Sequence, residues 1–187
     1  MKDFICLMAK RDTLRGKANN IITTLAQMTK IIGIDPGLTK TGWGVIEAIN
    51  NSFKFIASGT IRTDVKLDLT SRLHHLHLDL TEAIKLHAPI EAAIEETFIN
   101  NNPLSSLKLG HARGSLMLSL GLCGLPVSEY STTAIKKAVV GAGRAEKQQV
   151  ARMIQILIPQ AKFKTEDEAD ALATAICHVN NRLRRVF

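Results

Sequence analysis

Four carboxylates carry the chemistry this sequence offers. Asp35 closes the apolar run Lys30-Ile31-Ile32-Gly33-Ile34, and Glu95 closes a second, Ala92-Ala93-Ile94. Asp167 and Asp170 open the last long helical pattern, TEDEADAL at 165–172. An acid at the end of a buried strand is costly to keep ionised unless something pairs with it. Three separate segments place acids at such element ends, so a shared cationic partner is expected. The hard cation that matches carboxylate oxygens is Mg²⁺ or Mn²⁺. Asp167 and Asp170 stand three residues apart on a helix, so both project from one face, and the first turn favours negative charge. Glu166 and Glu168 read as ordinary helix-start acids. The chain carries a net charge of +7 yet concentrates acids at one place. That combination suggests an enzyme acting on polyanionic nucleic acid.

Positioning those acids requires elements, and hydrophobic periodicity supplies them. Lys30 to Asp35 reads as a buried strand ended by Pro36-Gly37. Thr41 to Ala48 is a second strand, in which Gly42 and Gly44 permit close backbone approach. Asn50-Asn51 makes a turn, and Phe53 to Ile61 completes an antiparallel meander. Leu69, Leu73, Leu76, Leu80 and Ile84 then mark one helix face, with Thr70 or Ser71 as cap and Pro89 beyond its end. Ile90 to Glu95 is the fourth strand. Asn102-Pro103 starts a helix running to about Leu120, and Pro126 to Tyr130 is the fifth strand. Ser131 caps a short helix to about Val140, broken by Gly141-Ala142-Gly143. Glu146 to Ile158 is the next helix. Thr165-x-x-Glu168 is a capping box for the last, to about Arg184. The order βββαβαβααα implies an α/β sandwich around one mixed five-stranded sheet.

Composition narrows the partners. A length of 187 residues fits one domain, and 45% hydrophobic residues suffice for a core. Aromatics are only 4%, which argues against a platform stacking many bases. Cys6, Cys123 and Cys177 are too far apart for zinc or a disulfide framework, so reduced thiols and a cytoplasmic location are expected. No apolar run approaches the ~18 residues of a membrane span, so no membrane partner is expected. Residues 1–28 read as a basic extension. Lys2, Lys10, Arg11, Arg15 and Lys17 outweigh Asp3 and Asp12 there, without the continuous apolar stretch of a secretory signal. The folded domain is then 29–187. The extension is either dispensable or an arm touching DNA.

These residues resemble the RuvC-type Holliday junction resolvases, crossover junction endodeoxyribonucleases with a ribonuclease-H-like fold. Four stretches carry the resemblance: IIGIDPGLTKTGWGVIE at 31–47, AIEETFINNNPLSSLKLGHARG at 93–114, VVGAGRAEKQQV at 139–150 and DEADALATAICH at 167–178. It covers about Lys30 to Arg182, and the N-terminal extension and the stop at Phe187 are departures from it. The resemblance implies helices on both faces of the sheet. It implies that Asp35, Glu95, Asp167 and Asp170 are both the catalytic and the metal-binding residues. Glu95 is preferred to Glu96 because it follows Ala93-Ile94. Lys136 and Lys147 match the family's basic residues near the scissile strand, and Phe98 matches an aromatic that stacks at the opened junction centre. Lys108 and Arg113 are further candidates for phosphate contact. The expected reaction is metal-dependent cleavage of four-way junction DNA by paired symmetric nicks, during recombination and repair. Two Mg²⁺ per site are expected, with Mn²⁺ a substitute, together with a homodimer and delivery by the RuvA-RuvB branch-migration complex.

Other residues are discounted. His74, His75 and His77 look like a metal tract but share a helix with Leu73 and Leu76, and solvated surface is the expectation. His111 is expected to pack, His178 to be structural and Trp43 to be core; Lys40 is a weaker phosphate candidate. The Gly33-Ile34-Asp35-Pro36-Gly37 turn also resembles the first phosphate loop of actin-like ATPases, a class that needs two such domains. A ribosomal-RNA processing nuclease of the YqgF kind is usually shorter and lacks the AEKQQV segment. A non-catalytic junction binder would not need all four acids.

Overall fold

The structure, a computed structural model, describes residues 28–49, 52–97 and 102–184. Five strands form one sheet in the order β3-β2-β1-β4-β5. They are β1 (Met28–Asp35), β2 (Lys40–Ile49), β3 (Ser52–Arg62), β4 (Glu91–Glu95) and β5 (Val127–Tyr130). The first three pair antiparallel, while β4 pairs parallel with β1 and with β5. The helices are α1 (Leu69–His87), α2 (Pro103–Leu122), α3 (Thr132–Val140), α4 (Lys147–Leu157) and α5 (Glu166–Arg184). The expected mixed sheet is therefore present, and β1 reaches back to Met28 because Met28 and Thr29 pair with Ile49 and Ala48.

Side chains alternate across a strand, and this alternation divides the core. Ile32 and Ile34 of β1 and Ala92 and Ile94 of β4 pack with Leu76 and Leu80 of α1 and Leu116 and Leu120 of α2. Ile31 and Ile46 face the other way, onto Leu172 and Ile176 of α5 and onto α3 and α4. Helices thus cover both faces. Each fully buried aliphatic side chain of this kind contributes about 1.5–3 kcal/mol. Asp35 and Glu95 continue the Ile31 parity, so both emerge on the α5 face.

Two caps differ from the sequence expectation. Asp68, rather than Thr70 or Ser71, caps α1, accepting from the Ser71 N–H at 3.0 Å and the Ser71 hydroxyl at 2.6 Å. A carboxylate suits the positive end of a helix better than a hydroxyl does, and the Ser71 bonds hold the Asp68 carboxyl below its ordinary pKa. At α5 only half of the capping box forms. The Glu168 N–H donates to Thr165 Oγ1 at 3.2 Å, but the Glu168 carboxylate turns away to the sheet. It accepts from Ser58 Oγ at 2.7 Å and from the Lys164 N–H at 3.2 Å. Glu168 is therefore a buried tie between β3 and α5, not an ordinary helix-start acid.

Candidate active site

Asp35 and Glu95 end neighbouring parallel strands. Ile34 is in register with Ile94, and each is followed by its acid. Across from them lies the start of α5. That helix seats close to the sheet because β1 and β2 offer it glycines. A Cβ at Gly33 would stand 2.1 Å from the Ala171 carbonyl oxygen, and one at Gly42 would stand 1.9 Å from that of Asp167. Gly42 is the register partner of Asp35. The helix backbone at Asp167 therefore rests on the residue beside Asp35.

The turn after Asp35 is held from two sides. Thr41 Oγ1 donates to the Gly37 carbonyl at 2.6 Å, and the Gly37 N–H donates back to it at 3.2 Å. Arg72 of α1, 9% exposed, donates to Thr63 Oγ1 at 2.9 Å and to Thr39 Oγ1 at 3.0 Å. Thr63 in turn donates to the Leu38 carbonyl at 2.6 Å. No sequence signal marked Arg72, because it stands beside the apolar stripe of α1 rather than at one of its positions.

The acids burden one another. Burial, then the charges of Glu95, Asp170 and Asp167, push the Asp35 carboxyl up to about 8. Burial also raises Glu95, against the hydrogen bond from the Thr132 hydroxyl, which lowers it. Asp170 is raised by burial and lowered by Lys147. Among the described residues no three acid, His or Cys side chains converge into a ready-made cage. The four acids share a field without sharing a coordination sphere, as mutually repelling anions do. The donor set is all oxygen and the anion at Asp35 is strongly destabilised. Added positive charge is what would let Asp35 ionise near neutrality beside its neighbours, so these residues fit a hard divalent cation.

Two lysines flank the acids. Lys147 begins α4, where the helix end disfavours a cation; Asp170 at 3.5 Å and Glu166 at 3.4 Å offset that. The Asp170 charge raises the Lys147 pKa. Lys136 lies one turn after Thr132 on α3 and lowers the Glu95 pKa by its charge. Thr132 was missed in the sequence, although its i, i+4 spacing from Lys136 marks it as a neighbour. Arg113 is committed within the protein. It pairs with Glu129 and donates to the Glu95 carbonyl at 3.3 Å, bracing the strand end from behind. Lys108 lies exposed on α2. Phe98 lies outside the described residues, as does most of the 1–28 extension.

The histidines separate. His75 pairs with Asp79 at 3.0 Å and His74 is exposed. His77 is not simply solvated, since its Nδ1 lies 2.9 Å from Ser119 Oγ of α2 and links the two helices. His111 is exposed rather than packed, because α2 turns its Ala112, Leu116 and Leu120 face to the core. His178 is structural, 2.9 Å from the Tyr130 hydroxyl and 2.8 Å from Glu91. Trp43 packs partly against the α1 side of the core, with its ring 5.4 Å from that of His87. No helix among the described residues is long and apolar enough to cross a membrane.

Comparison with known proteins places these features among relatives. Residues 31–178 match the family model for the crossover junction endodeoxyribonuclease RuvC. Crossover junction endodeoxyribonuclease RuvC of Rhizobium etli is 56% identical over 153 residues, 82% of this chain and 90% of the relative. That of Sinorhizobium medicae is 54% identical over 155 residues, 83% and 93% of the two chains. The structure of Thermus thermophilus RuvC in complex with a Holliday junction substrate superposes with a TM-score of 0.78 at 27% identity. It covers 84% of this chain and 96% of that one. The yeast mitochondrial Holliday junction resolvase Ydc2, with TM-score 0.58 and 12% identity over 85% of this chain and 86% of that one, shares the fold.

Proposed function

The chain belongs to the RuvC family of crossover junction endodeoxyribonucleases, and on that basis we propose that it resolves four-way DNA junctions by paired symmetric nicks at the Asp35 site. The observation that carries the reading is that Asp35 and Glu95, at the ends of adjacent parallel strands, lie within one electrostatic field with Asp167 and Asp170 on α5. Asp35, Glu95, Asp167 and Asp170 would hold divalent metal, Mg²⁺ before Mn²⁺ and two ions per site. When bound, the metal supplies charge neutralisation and Lewis-acid activation of water and leaving oxygen. The chain's own residues do the rest. Thr132 orients the Glu95 carboxylate by donating to it. Lys147 and Lys136 bring positive charge to the rim where the phosphate must lie, as preorganised cations do at developing anionic charge. Cleavage leaves a 5′-phosphate and a 3′-hydroxyl.

Phe98 follows the Glu95 strand by three residues, and we assign it the stacking contact at the opened junction centre. A base stacked on an aromatic is worth about 1–3 kcal/mol. Lys108 on the same segment belongs to the DNA-facing side in this reading, whereas Arg113 acts indirectly, through its hold on the Glu95 carbonyl. The active species is a homodimer, acts in the cytoplasm and receives junctions from RuvA-RuvB.

The test is a synthetic four-way junction incubated with Mg²⁺ beside linear duplex and RNA–DNA hybrid. The wild-type protein should cut the junction at symmetric positions and leave the other two. Asp35→Asn, Glu95→Gln, Asp167→Asn and Asp170→Asn should each lower cleavage at least about a thousandfold while binding the junction as tightly or more tightly, since each removes a charge that repels phosphate. A variant that cuts at near wild-type rate would remove that residue from the site.

A further inference from the structure

We infer that the cleft between the end of edge strand β3 and the α4–α5 connection is a second phosphate site, which takes the DNA backbone two or three nucleotides from the phosphodiester held at the four acids. The inference rests on the nuclease reading above. Ser58, Thr60 and Arg62 form one wall of the cleft, and Lys162, Lys164 and Thr165 the other.

Its charge is uncompensated. Lys54, Lys147, Arg113 and Arg182 each have an acidic partner. The exposed side chains of Arg62, Lys162 and Lys164 have none among the described residues. Lys40, also exposed, stands directly opposite Arg62 on β2. Like charges facing one another across two strands are destabilising, and an anion lying between them removes the cost.

The one acid in the cleft does not supply that anion. Glu168 is 5% exposed. One of its oxygens accepts from Ser58 Oγ at 2.7 Å and the Lys164 N–H at 3.2 Å, the other from Thr165 Oγ1 at 3.3 Å and Thr60 Oγ1 at 3.4 Å. Its hydrogen-bonding capacity is spent on tying β3 to α5, and the cations at the rim are left for a ligand from outside.

Geometry selects the ligand. Thr60 is in register with Gly42, and Gly42 with Asp35. The cleft therefore lies two strand spacings, about 10 Å, from Asp35 on the same face of the sheet. Successive phosphates of one strand lie roughly 6–7 Å apart, about twice the 3.4 Å axial rise per nucleotide, so a strand that passes over the start of α5, which covers Gly42 between the two sites, reaches both with two or three nucleotides between them. A row of cations at that separation suits a polyanion of fixed repeat. It reads no bases, since contacts of this kind set register rather than sequence.

The experiment compares the full-length wild type with Arg62→Ala/Lys164→Ala and with Lys54→Ala/Lys85→Ala, which loses the same charge elsewhere. Binding to a four-way junction is measured without metal across a salt series. The cleft variant should bind about three- to tenfold more weakly near 0.15 M salt, with a log–log salt slope reduced by about 1–2; the control variant should keep the wild-type slope. A neutral methylphosphonate two or three nucleotides from the cut should weaken the wild type by a similar factor and leave the cleft variant unaffected. Arg62→Lys/Lys164→Arg should restore the slope, which separates charge from folding. Equal slopes in the cleft and control variants of a protein that still cuts junctions would overturn the cleft alone. A reduced slope in the cleft variant of a protein that cuts no DNA would instead overturn the nuclease reading.

Discussion

Asp35 concentrates the cost of the site in one carboxyl. In the unfolded chain it titrates at its ordinary value of 3.8, and in the folded protein at about 8. Between those values the folded state holds a proton that the unfolded chain has lost. Metal-free stability from this group therefore falls as pH rises from about 4 to 8 and levels off above. Each pKa unit corresponds to about 1.4 kcal/mol. Asp35→Asn removes the penalty, so in EDTA at pH 8 it should be about 2–4 kcal/mol more stable than wild type, with little difference at pH 4.5. Thermal melts at the two pH values check this, and equal stabilities at pH 8 would remove the burden from Asp35. Adding Mg²⁺ at pH 7 should also release protons from the wild type and fewer from Asp35→Asn, measurable in weak buffer. The places of Asp35, Glu95, Asp167 and Asp170 near element ends were legible in the sequence. Arg72 and Thr132 were not, because their roles arise only when a helix and a turn distant in sequence meet.

At the scale of elements, the site depends on how closely α5 approaches β1 and β2. Gly42→Ala would put a methyl 1.9 Å from the Asp167 carbonyl oxygen, and Gly33→Ala would put one 2.1 Å from that of Ala171. Backbone cannot rotate away as a side chain can, so the helix must shift. Overpacking of this kind costs about 1–3 kcal/mol, and for Gly42 the shift falls on Asp167 itself. Gly42→Ala should therefore lose at least tenfold in cleavage at temperatures where circular dichroism shows it fully folded. Normal cleavage by a folded Gly42→Ala protein would show that the helix position is not what sets the site. The glycines themselves were readable as places of close approach, since a strand interior gains nothing else from them. Their partner was not readable, because the contact joins β2 to a helix more than a hundred residues later. Strand parity likewise put Asp35 and Glu95 each on one face, while the parallel pairing of β1 with β4 that makes it the same face came from the fold. Glu168 misled for a related reason. Its T-x-x-E spacing is a local signal, and the hydroxyls of β3 compete for its carboxylate with better burial.

At the scale of the whole molecule, a single candidate site in each protomer would make one nick at a time, whereas a four-way junction needs two on opposed strands. A C2 dimer presents two sites in matching orientation and is the commonest symmetry of assembly. The candidate surface is now specific. Leu116 and Leu120 of α2 are fully buried within the protomer and cannot be shared. Leu104, Leu107, Leu118 and Leu122 are 70%, 57%, 63% and 69% exposed, and their spacing of 3, 11 and 4 keeps them on one helix stripe. Exposed His111 and Gly114 lie between them on that stripe. An α-helix with one apolar face in the core and a second facing water is poorly explained by a monomer. Two such stripes packed against each other would bury Leu107 and Leu118 and place each Glu95 strand, which leads into α2, toward a common centre. Sedimentation at micromolar concentration should show twice the protomer mass. Leu107→Glu/Leu118→Glu should halve that mass without lowering the protomer's helix content, because neither side chain is part of the core. On a supercoiled cruciform plasmid the wild type should yield linear product in one binding event, and the dissociated variant nicked circles. A wild type that sediments as a monomer alone and on the junction, yet still linearises the plasmid in one event, would sink the paired-site arrangement.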